Sequence, residues 1–293
     1  MTLSSLIKLI RPAQWVKNGF IFLPLFFGGR LLDWYAWGQA LIAFAAFSVM
    51  ASAVYCFNDL ADASADAVHP VKRLRPVASG SLSRVAAGYI CVILCVVSPA
   101  ISCLCLRQSA AEVTAVLLLY MALNIAYSLW FKRVAVLDVI VIALGFVLRV
   151  LAGGMAAQIE LSPWIMLMTF LLALFMAFAK RRDDVVLSES AGREVRRSVR
   201  GYTLPFMNIV LGFLASVTVV CYLMYTVSPE VMARLDCRYV YVSALFVLAG
   251  VLRYLQLSIV DCRAGDPTSV VLHDRFILIC VGCWILFFVL IMY

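Results

Sequence analysis

The densest group of reactive side chains is Asn58-Asp59-Leu60-Ala61-Asp62-Ala63-Ser64-Ala65-Asp66, an NDxxDxxxD run. It continues an apolar stretch, and neither proline nor glycine interrupts it before Pro70, so a helix is predicted to run through it. On an α-helix, positions three, four and seven residues apart share a face, which puts Asp59, Asp62 and Asp66 in one stripe with Asn58 at its edge. Carboxylates in such an array repel one another and resist ionisation unless a cation lies among them. Oxygen-only ligands favour a hard divalent ion. Mg2+ keeps several waters and is shared between one or two carboxylates and substrate phosphates, which suits an open helical array. The spacing and the missing glycine exclude an EF-hand calcium loop. Asp59, Asp62 and Asp66 are therefore the candidate metal ligands and catalytic carboxylates.

Immediately after the stripe comes His69-Pro70-Val71-Lys72-Arg73-Leu74-Arg75-Pro76. This proline-bounded turn brings Lys72, Arg73 and Arg75 back toward the acids, where they could hold the oxygens of a diphosphate and stabilise charge building on it as it leaves. His69, beside a proline, reads as a solvated or capping residue. The bland alternative for the stripe is a solvated helix end, but Leu60, Ala61, Ala63 and Ala65 give the acids no local basic partners.

The elements that must carry these residues belong to a membrane. The chain has 293 residues, 65% apolar and only 14% charged, with a mean hydropathy of +1.01, far from the composition of a soluble domain. A helix needs about 20 apolar residues to cross a bilayer core of roughly 30 Å. Nine such runs are present, near 15–32, 37–57, 85–106, 111–131, 134–157, 163–179, 204–227, 239–259 and 276–292. They are continuous rather than alternating, so an all-α integral membrane protein is predicted and a strand-built barrel is not. No cleavable signal peptide is expected, because Lys8, Arg11, Pro12 and Lys17 interrupt the first residues. The cysteines lack CxxC pairs with histidines and read as small packing residues.

With nine spans, 19 of the 24 basic residues fall on the side of the N-terminus. The positive-inside rule makes that side cytoplasmic. The net charge of +8 is thereby explained by orientation and by anionic headgroups, with no nucleic-acid partner. Many acids share this side, which orientation does not require. A site for a metal-bound phosphate ester needs both signs of charge. Within the fifth span, Arg149 and Asp138 are eleven residues apart on about one helical face, and both are expected to point into the protein. Gly145, Gly153 and Gly154 read as close helix contacts, and no Walker motif is present.

NDxxDxxxD after the second of nine spans, followed by HPxKRxRP, resembles the first aspartate-rich motif of the UbiA superfamily of membrane prenyltransferases. The resemblance covers essentially the whole chain. It implies nine helices around a lipid-open cavity, forming one domain over 1–293. The run Arg11-Pro12-Ala13-Gln14-Trp15-Val16-Lys17-Asn18, Tyr127-Ser128 with Lys132, and LDVIVIALGFVLRVLAGG look like the branch that makes decaprenyl-phosphoryl phosphoribose. Members of that branch require magnesium. They transfer ribose 5-phosphate from phosphoribosyl diphosphate to a polyprenyl phosphate, releasing diphosphate and supplying lipid-linked arabinofuranose. By this resemblance Asn58, Asp59, Asp62 and Asp66 would bind the magnesium diphosphate of the donor, Lys72, Arg73 and Arg75 would close on its phosphates, and Lys17, Tyr127 and Lys132 would line the same cytoplasmic mouth.

The sixth connection departs from the superfamily's aromatic prenyltransferases, whose second motif is another regular set of aspartates. Here it reads Lys180-Arg181-Arg182-Asp183-Asp184, then Glu189, Arg193, Glu194, Arg196, Arg197 and Arg200. A base-rich second half is consistent with holding two further anions, the ribose 5-phosphate and a lipid phosphate, and makes Lys180, Arg181 and Arg182 candidate substrate ligands. Asp183 and Asp184 could serve a metal or merely pair with neighbours. Two other classes compete: a transferase placing a prenyl chain on an aromatic acceptor, and a transporter of an anionic solute. The first should show a regular second aspartate motif; the second should place its polar residues at the bilayer midplane on broken helices.

Overall fold

The computed structural model describes residues 3–68, 72–191, 201–261 and 267–292. His69 and the more distal charges of the sixth connection, Arg193, Glu194, Arg196, Arg197 and Arg200, lie outside the described residues. In chain order the elements are α1 Leu3–Ile10, a 3-10 helix Pro12–Phe22, α2 Leu23–Phe27, α3 Trp34–Ala67, a 3-10 turn Lys72–Leu74, α4 Arg84–Cys105, α5 Ala110–Leu129, a 3-10 turn Phe131–Arg133, α6 Leu137–Ala157, α7 Pro163–Ala191, α8 Leu204–Thr226, α9 Pro229–Leu235, a 3-10 turn Val240–Ser243, α10 Ala244–Ile259, α11 Pro267–His273 and α12 Arg275–Met292. Among the described residues eight helical stretches are long and apolar enough to cross a membrane. The chain divides into two compact units, the first Met1–Lys132 with Leu144–Ser162 and the second Arg133–Ala143 with Pro163–Tyr293.

The first unit is organised by α3. Its 34 residues make about 50 Å of helix, well beyond the roughly 30 Å of a bilayer core, so its last turns can carry polar chemistry. Asp33 caps its start, Oδ1 accepting from the Tyr35 and Ala36 amides at 3.0 and 3.1 Å. Small residues, Ala43, Ala46, Ala51 and Ala53, let neighbouring elements close on α3, and Phe47, Met50, Val54, Val113, Leu117, Tyr120 and Leu148 fill the core that results.

The expected first span, 15–32, is not a continuous α-helix. Pro12–Phe22 is a 3-10 helix and only Leu23–Phe27 is α-helical. Pro24 accounts for the break between the two: it offers no amide to the carbonyl four residues back, at Phe20, which accepts the Leu23 amide instead. Gly29, at φ +68°, then turns the chain toward α3. The 3-10 segment lies against α6 where there is no side chain, since a Cβ on Gly153 would collide with the Ile21 carbonyl. The expected close-packing role holds at that glycine.

In the second unit α7 runs on to Ala191, so Lys180–Asp184, expected in a connection, are helical. No proline or glycine stops the helix after Pro163 until Gly192. Buried Arg182 fastens α7 to its neighbours, Nε bonding Asn208 Oδ1 on α8 at 2.7 Å and the Nη groups reaching the Ser258 and Ile259 carbonyls at the end of α10 at 2.6 and 3.2 Å. Those carbonyls have no continuing helix to serve them. Asp274 caps α12 through the Ile277 amide at 3.0 Å and takes Arg253 Nη2 at 2.8 Å.

The Arg253 hydrogen bond holds the Asp274 carboxyl below its ordinary value of 3.8. A lowered folded value means that the pair stabilises the protein above pH 3.8 and that this contribution is lost as the pH falls through the folded value. Thermal unfolding in detergent should show a falling midpoint on acidification, and Asp274→Asn should lower the midpoint at neutral pH and flatten that acid limb.

Candidate active site

The acids of NDxxDxxxD stand on the last turns of α3, and each is matched by a base from a different element of the first unit. Asp59 is 1% exposed. Its Oδ1 receives Arg11 Nη2 at 2.5 Å and Arg75 Nη1 at 3.5 Å. Arg75 Nη1 also meets Asp66 Oδ2 at 2.6 Å, so one guanidinium bridges two turns of the helix. Lys132 Nζ reaches Asp62 Oδ1 at 2.5 Å, and the Ser128 hydroxyl donates to Asn58 Oδ1. The helix periodicity thus gathers the stripe, and the chain returns to it three times: before α3, after it, and at the end of α5.

The path of the backbone explains how the bases arrive. Arg11 has φ 51°, a left-handed conformation uncommon outside glycine, at the junction of α1 and the Pro12 turn. Its guanidinium also lies over the Tyr55 ring, 5.1 Å from the centroid. Farther along the same segment Trp15 Nε1 donates to Ser52 Oγ at 3.0 Å, and Asn18 Nδ2 to Ser48 Oγ at 2.9 Å. Ser48, Ser52 and Asp59, four and seven residues apart, form one polar face of α3. Of the other predicted residues, Lys17, Lys72 and Tyr127 are half-buried in this unit and Arg73 is exposed.

The donor set is all oxygen, and Asp59 Oδ2 is buried without a hydrogen-bond partner. An orphaned carboxylate oxygen beside two further acids fits a hard cation. Among the described residues no three histidine, cysteine or acidic side chains converge as a ready metal cluster. Each stripe carboxylate is turned toward a base instead. The arrangement therefore suits an ion that keeps its waters and takes few protein ligands, as Mg2+ does, and does not form a closed cage.

The UbiA prenyltransferase family model matches residues 21–277. The chain belongs to that family. It is accordingly an enzyme of the transferase class and a multi-pass integral membrane protein. The decaprenyl-phosphate phosphoribosyltransferase of Mycolicibacterium smegmatis is 34% identical over 292 residues, covering 96% of this chain and 90% of that one. The protein of the same name from Corynebacterium glutamicum is 32% identical over 290 residues, covering 98% and 86%. A solved UbiA homolog from Archaeoglobus fulgidus, bound to DMAPP and Mg2+, superposes with a TM-score of 0.67 at 20% identity over 98% of each chain.

This UbiA-family chain keeps its other predicted bases in the second unit, and they are occupied differently. Lys180 is half-buried. Arg181, 2% exposed, donates from Nε to Asp138 Oδ2 at 2.6 Å and from Nη1 to Asp184 Oδ2 at 3.0 Å. Tyr202 donates to Asp138 Oδ1 at 2.8 Å and accepts the Val136 amide at 2.6 Å. Burial pushes the Tyr202 phenol above its ordinary value. Val136 is itself left-handed at φ 70°, which a β-branched residue adopts only under constraint. Arg11, Ser128 and Asn18 were not singled out as individual site residues by sequence reasoning. The available signal was that all three fall inside the two segments, RPAQWVKN and Tyr127-Ser128, that carry the family resemblance.

If Arg75 couples Asp59 to Asp66, Arg75→Gln should destabilise the detergent-solubilised protein by about 1–3 kcal/mol by leaving buried carboxylate oxygens unmatched. Combining it with Asp66→Asn should cost less than the sum. A double-mutant cycle on thermal or SDS unfolding should give about 0.5–3 kcal/mol of coupling, and strict additivity would show that the bridge carries nothing.

Proposed function

We propose that this chain transfers the 5-phosphoribosyl group of 5-phosphoribosyl 1-diphosphate to a polyprenyl phosphate of the decaprenyl type, releasing diphosphate, with Mg2+ as cofactor. Its product would feed lipid-linked arabinofuranose for a cell-surface polysaccharide. The observation that carries the reading is likeness over nearly the whole chain to decaprenyl-phosphate phosphoribosyltransferases, at 34 and 32% identity. The acid stripe with bases on three sides supports it, as does the Mg2+ bound by the Archaeoglobus fulgidus homolog. In this reading residues 1–293 act as one transferase domain in the cell membrane, with the stripe and the N-terminus cytoplasmic, as the distribution of bases favours.

Asn58, Asp59, Asp62 and Asp66 are assigned to the magnesium diphosphate of the donor. Lys72, Arg73 and Arg75 are assigned to its phosphate oxygens, with Lys17, Tyr127 and Lys132 at the same mouth; we add Arg11, whose ion pair with Asp59 supports including it. Lys180, Arg181 and Arg182 keep their assignment to substrate phosphates in the second unit. A magnesium ion held by these carboxylates would supply neutralisation of the leaving diphosphate. The reaction breaks the bond between ribose C1 and a diphosphate oxygen and forms one between C1 and an oxygen of the lipid phosphate. Positive charge grows at C1 and the ring oxygen while negative charge grows on the leaving group. In this reading the arginine and lysine side chains, cationic at neutral pH, would meet that negative charge. The lipid phosphate is already an anion at neutral pH, so no general base is required, and attack opposite the leaving group inverts C1.

Membranes containing the protein should convert labelled phosphoribosyl diphosphate and polyprenyl phosphate into a lipid-soluble product only when Mg2+ is present. Asp62→Ala should reduce that rate by about a hundredfold or more. Consumption of prenyl diphosphate with aromatic acceptors in place of this product would assign the chain to aromatic prenylation, and inertness toward both donors would point to transport.

A further inference from the structure

Arg149 is a buried charge that this chemistry leaves unused. It stands on α6 and is 5% exposed. Its Nε donates to Asn18 Oδ1 at 2.8 Å, Nη1 to the Gly145 carbonyl at 2.7 Å and Nη2 to the Tyr120 hydroxyl at 3.1 Å. Its Cζ lies 4.9, 5.0 and 5.3 Å from the ring centroids of Phe47, Tyr120 and Phe146. Every one of these partners is neutral, and all belong to the first unit.

Among the described residues, then, a permanent cation sits deep in a membrane-spanning unit with no carboxylate against it. Bracing alone does not account for the charge. An amide or hydroxyl at this position could link the 3-10 segment, α5 and α6 without taking an ion out of water, which costs several kcal/mol. The aromatic faces and neutral acceptors soften that cost but return no opposite charge. A guanidinium carries five N–H groups, and three are engaged here, so two remain. Two donors from one guanidinium are what a phosphate accepts side by side. The polar face of α3 leads toward this point from the acid stripe, since Ser48, bonded to the same Asn18, lies eleven residues before Asp59.

We infer that Arg149 is an anion-binding residue whose countercharge is a phosphate monoester brought in by a substrate. The inference rests on the transfer reaction proposed above, in which two groups have this chemistry: the 5-phosphate of the sugar donor and the phosphate of the lipid acceptor.

The test uses the full-length protein in detergent micelles, titrated separately with ribose 5-phosphate and with decyl phosphate, with magnesium diphosphate as control ligand. Asn18→Asp is the discriminating variant. It sets a carboxylate against Arg149 Nε in nearly the same volume, and the Ser48 hydroxyl can donate to it, so the brace survives while the charge is answered internally. One ester should bind the unsubstituted protein, and its affinity should fall about tenfold or more in Asn18→Asp and in Arg149→Gln. The melting temperature of Asn18→Asp and its affinity for magnesium diphosphate should be unchanged, and Arg149→Lys should retain part of the ester affinity. The ester that responds identifies the source. Absence of ester binding by the unsubstituted protein, ester affinity unchanged in Asn18→Asp, or equal weakening of both esters and magnesium diphosphate would each overturn the assignment. If Arg149→Gln does not fold, Asn18→Asp decides alone. Ester binding lost as expected in a protein that transfers no phosphoribose would overturn the reaction and keep the anion site; transfer with ester affinity indifferent to Asn18→Asp would do the reverse.

Discussion

A carboxylate withdrawn from water must be answered by charge or by several donors, and beside a membrane the chain itself has to provide them. Asp59 imposes that requirement on the first unit. Fully buried near the end of α3, it draws Arg11 from before the helix and Arg75 from after it. The left-handed turn at Arg11 and the return of the chain after Ala67 both follow from bringing guanidinium groups to one helical face. Lys132 does the same for Asp62 from the end of α5. The first unit is in this sense built around a stripe of negative charge, and its packing serves to keep the bases in reach.

That constraint extends down α3. Ser48, Ser52 and Asp59 recur at helical spacing, and the facing segment supplies Asn18, Trp15 and Arg11 in reverse order. A 3-10 helix advances about 2.0 Å per residue against 1.5 Å for an α-helix, so fewer residues cover the same length of α3. The 3-10 geometry of Pro12–Phe22 therefore sets the register in which polar side chains meet. Gly153 completes the arrangement by letting the segment's backbone lie on α6.

Much of this was legible in the sequence because it depends on periodicity. Long apolar runs mark the spans, and the acid spacing marks a helical stripe that structure bears out as far as Ala67. Segments whose conformation depends on competition were not legible. The run 15–32 is apolar enough to span, yet Pro24 and Gly29 override hydropathy. Lys180–Asp184 carry the charge of a connection but continue α7, because nothing in the local sequence stops a helix once it has formed. Partner choice was hidden for a different reason. Arg11 meets Asp59 across 48 residues, a distance at which one-dimensional patterning carries no information, whereas the return of Arg75 to the stripe was readable from the proline-bounded turn that follows it.

Exposure separates the bases into two kinds, and the difference bears on which of them an incoming anion could engage. The side chains of Arg11, Arg75 and Lys132 are 26, 28 and 24% exposed while they hold their acids. Partly solvated side chains with long flexible stems can turn their remaining donors toward an anion while still holding buried Asp59 and Asp66, and Lys132 can leave partly exposed Asp62 at small cost because water replaces the lost contact. Arg181 and Arg182 are buried, and their contacts tie Asp138 and Asp184, or Asn208 and the end of α10. To release those contacts would strand buried carboxylates and carbonyls, the expensive half of any hydrogen-bond exchange. On the proposed reaction, diphosphate capture therefore belongs first to the bases around the α3 stripe. Arg181 and Arg182 could bind a phosphate through donors beyond those that hold the helices together, and only in an arrangement that leaves those contacts intact.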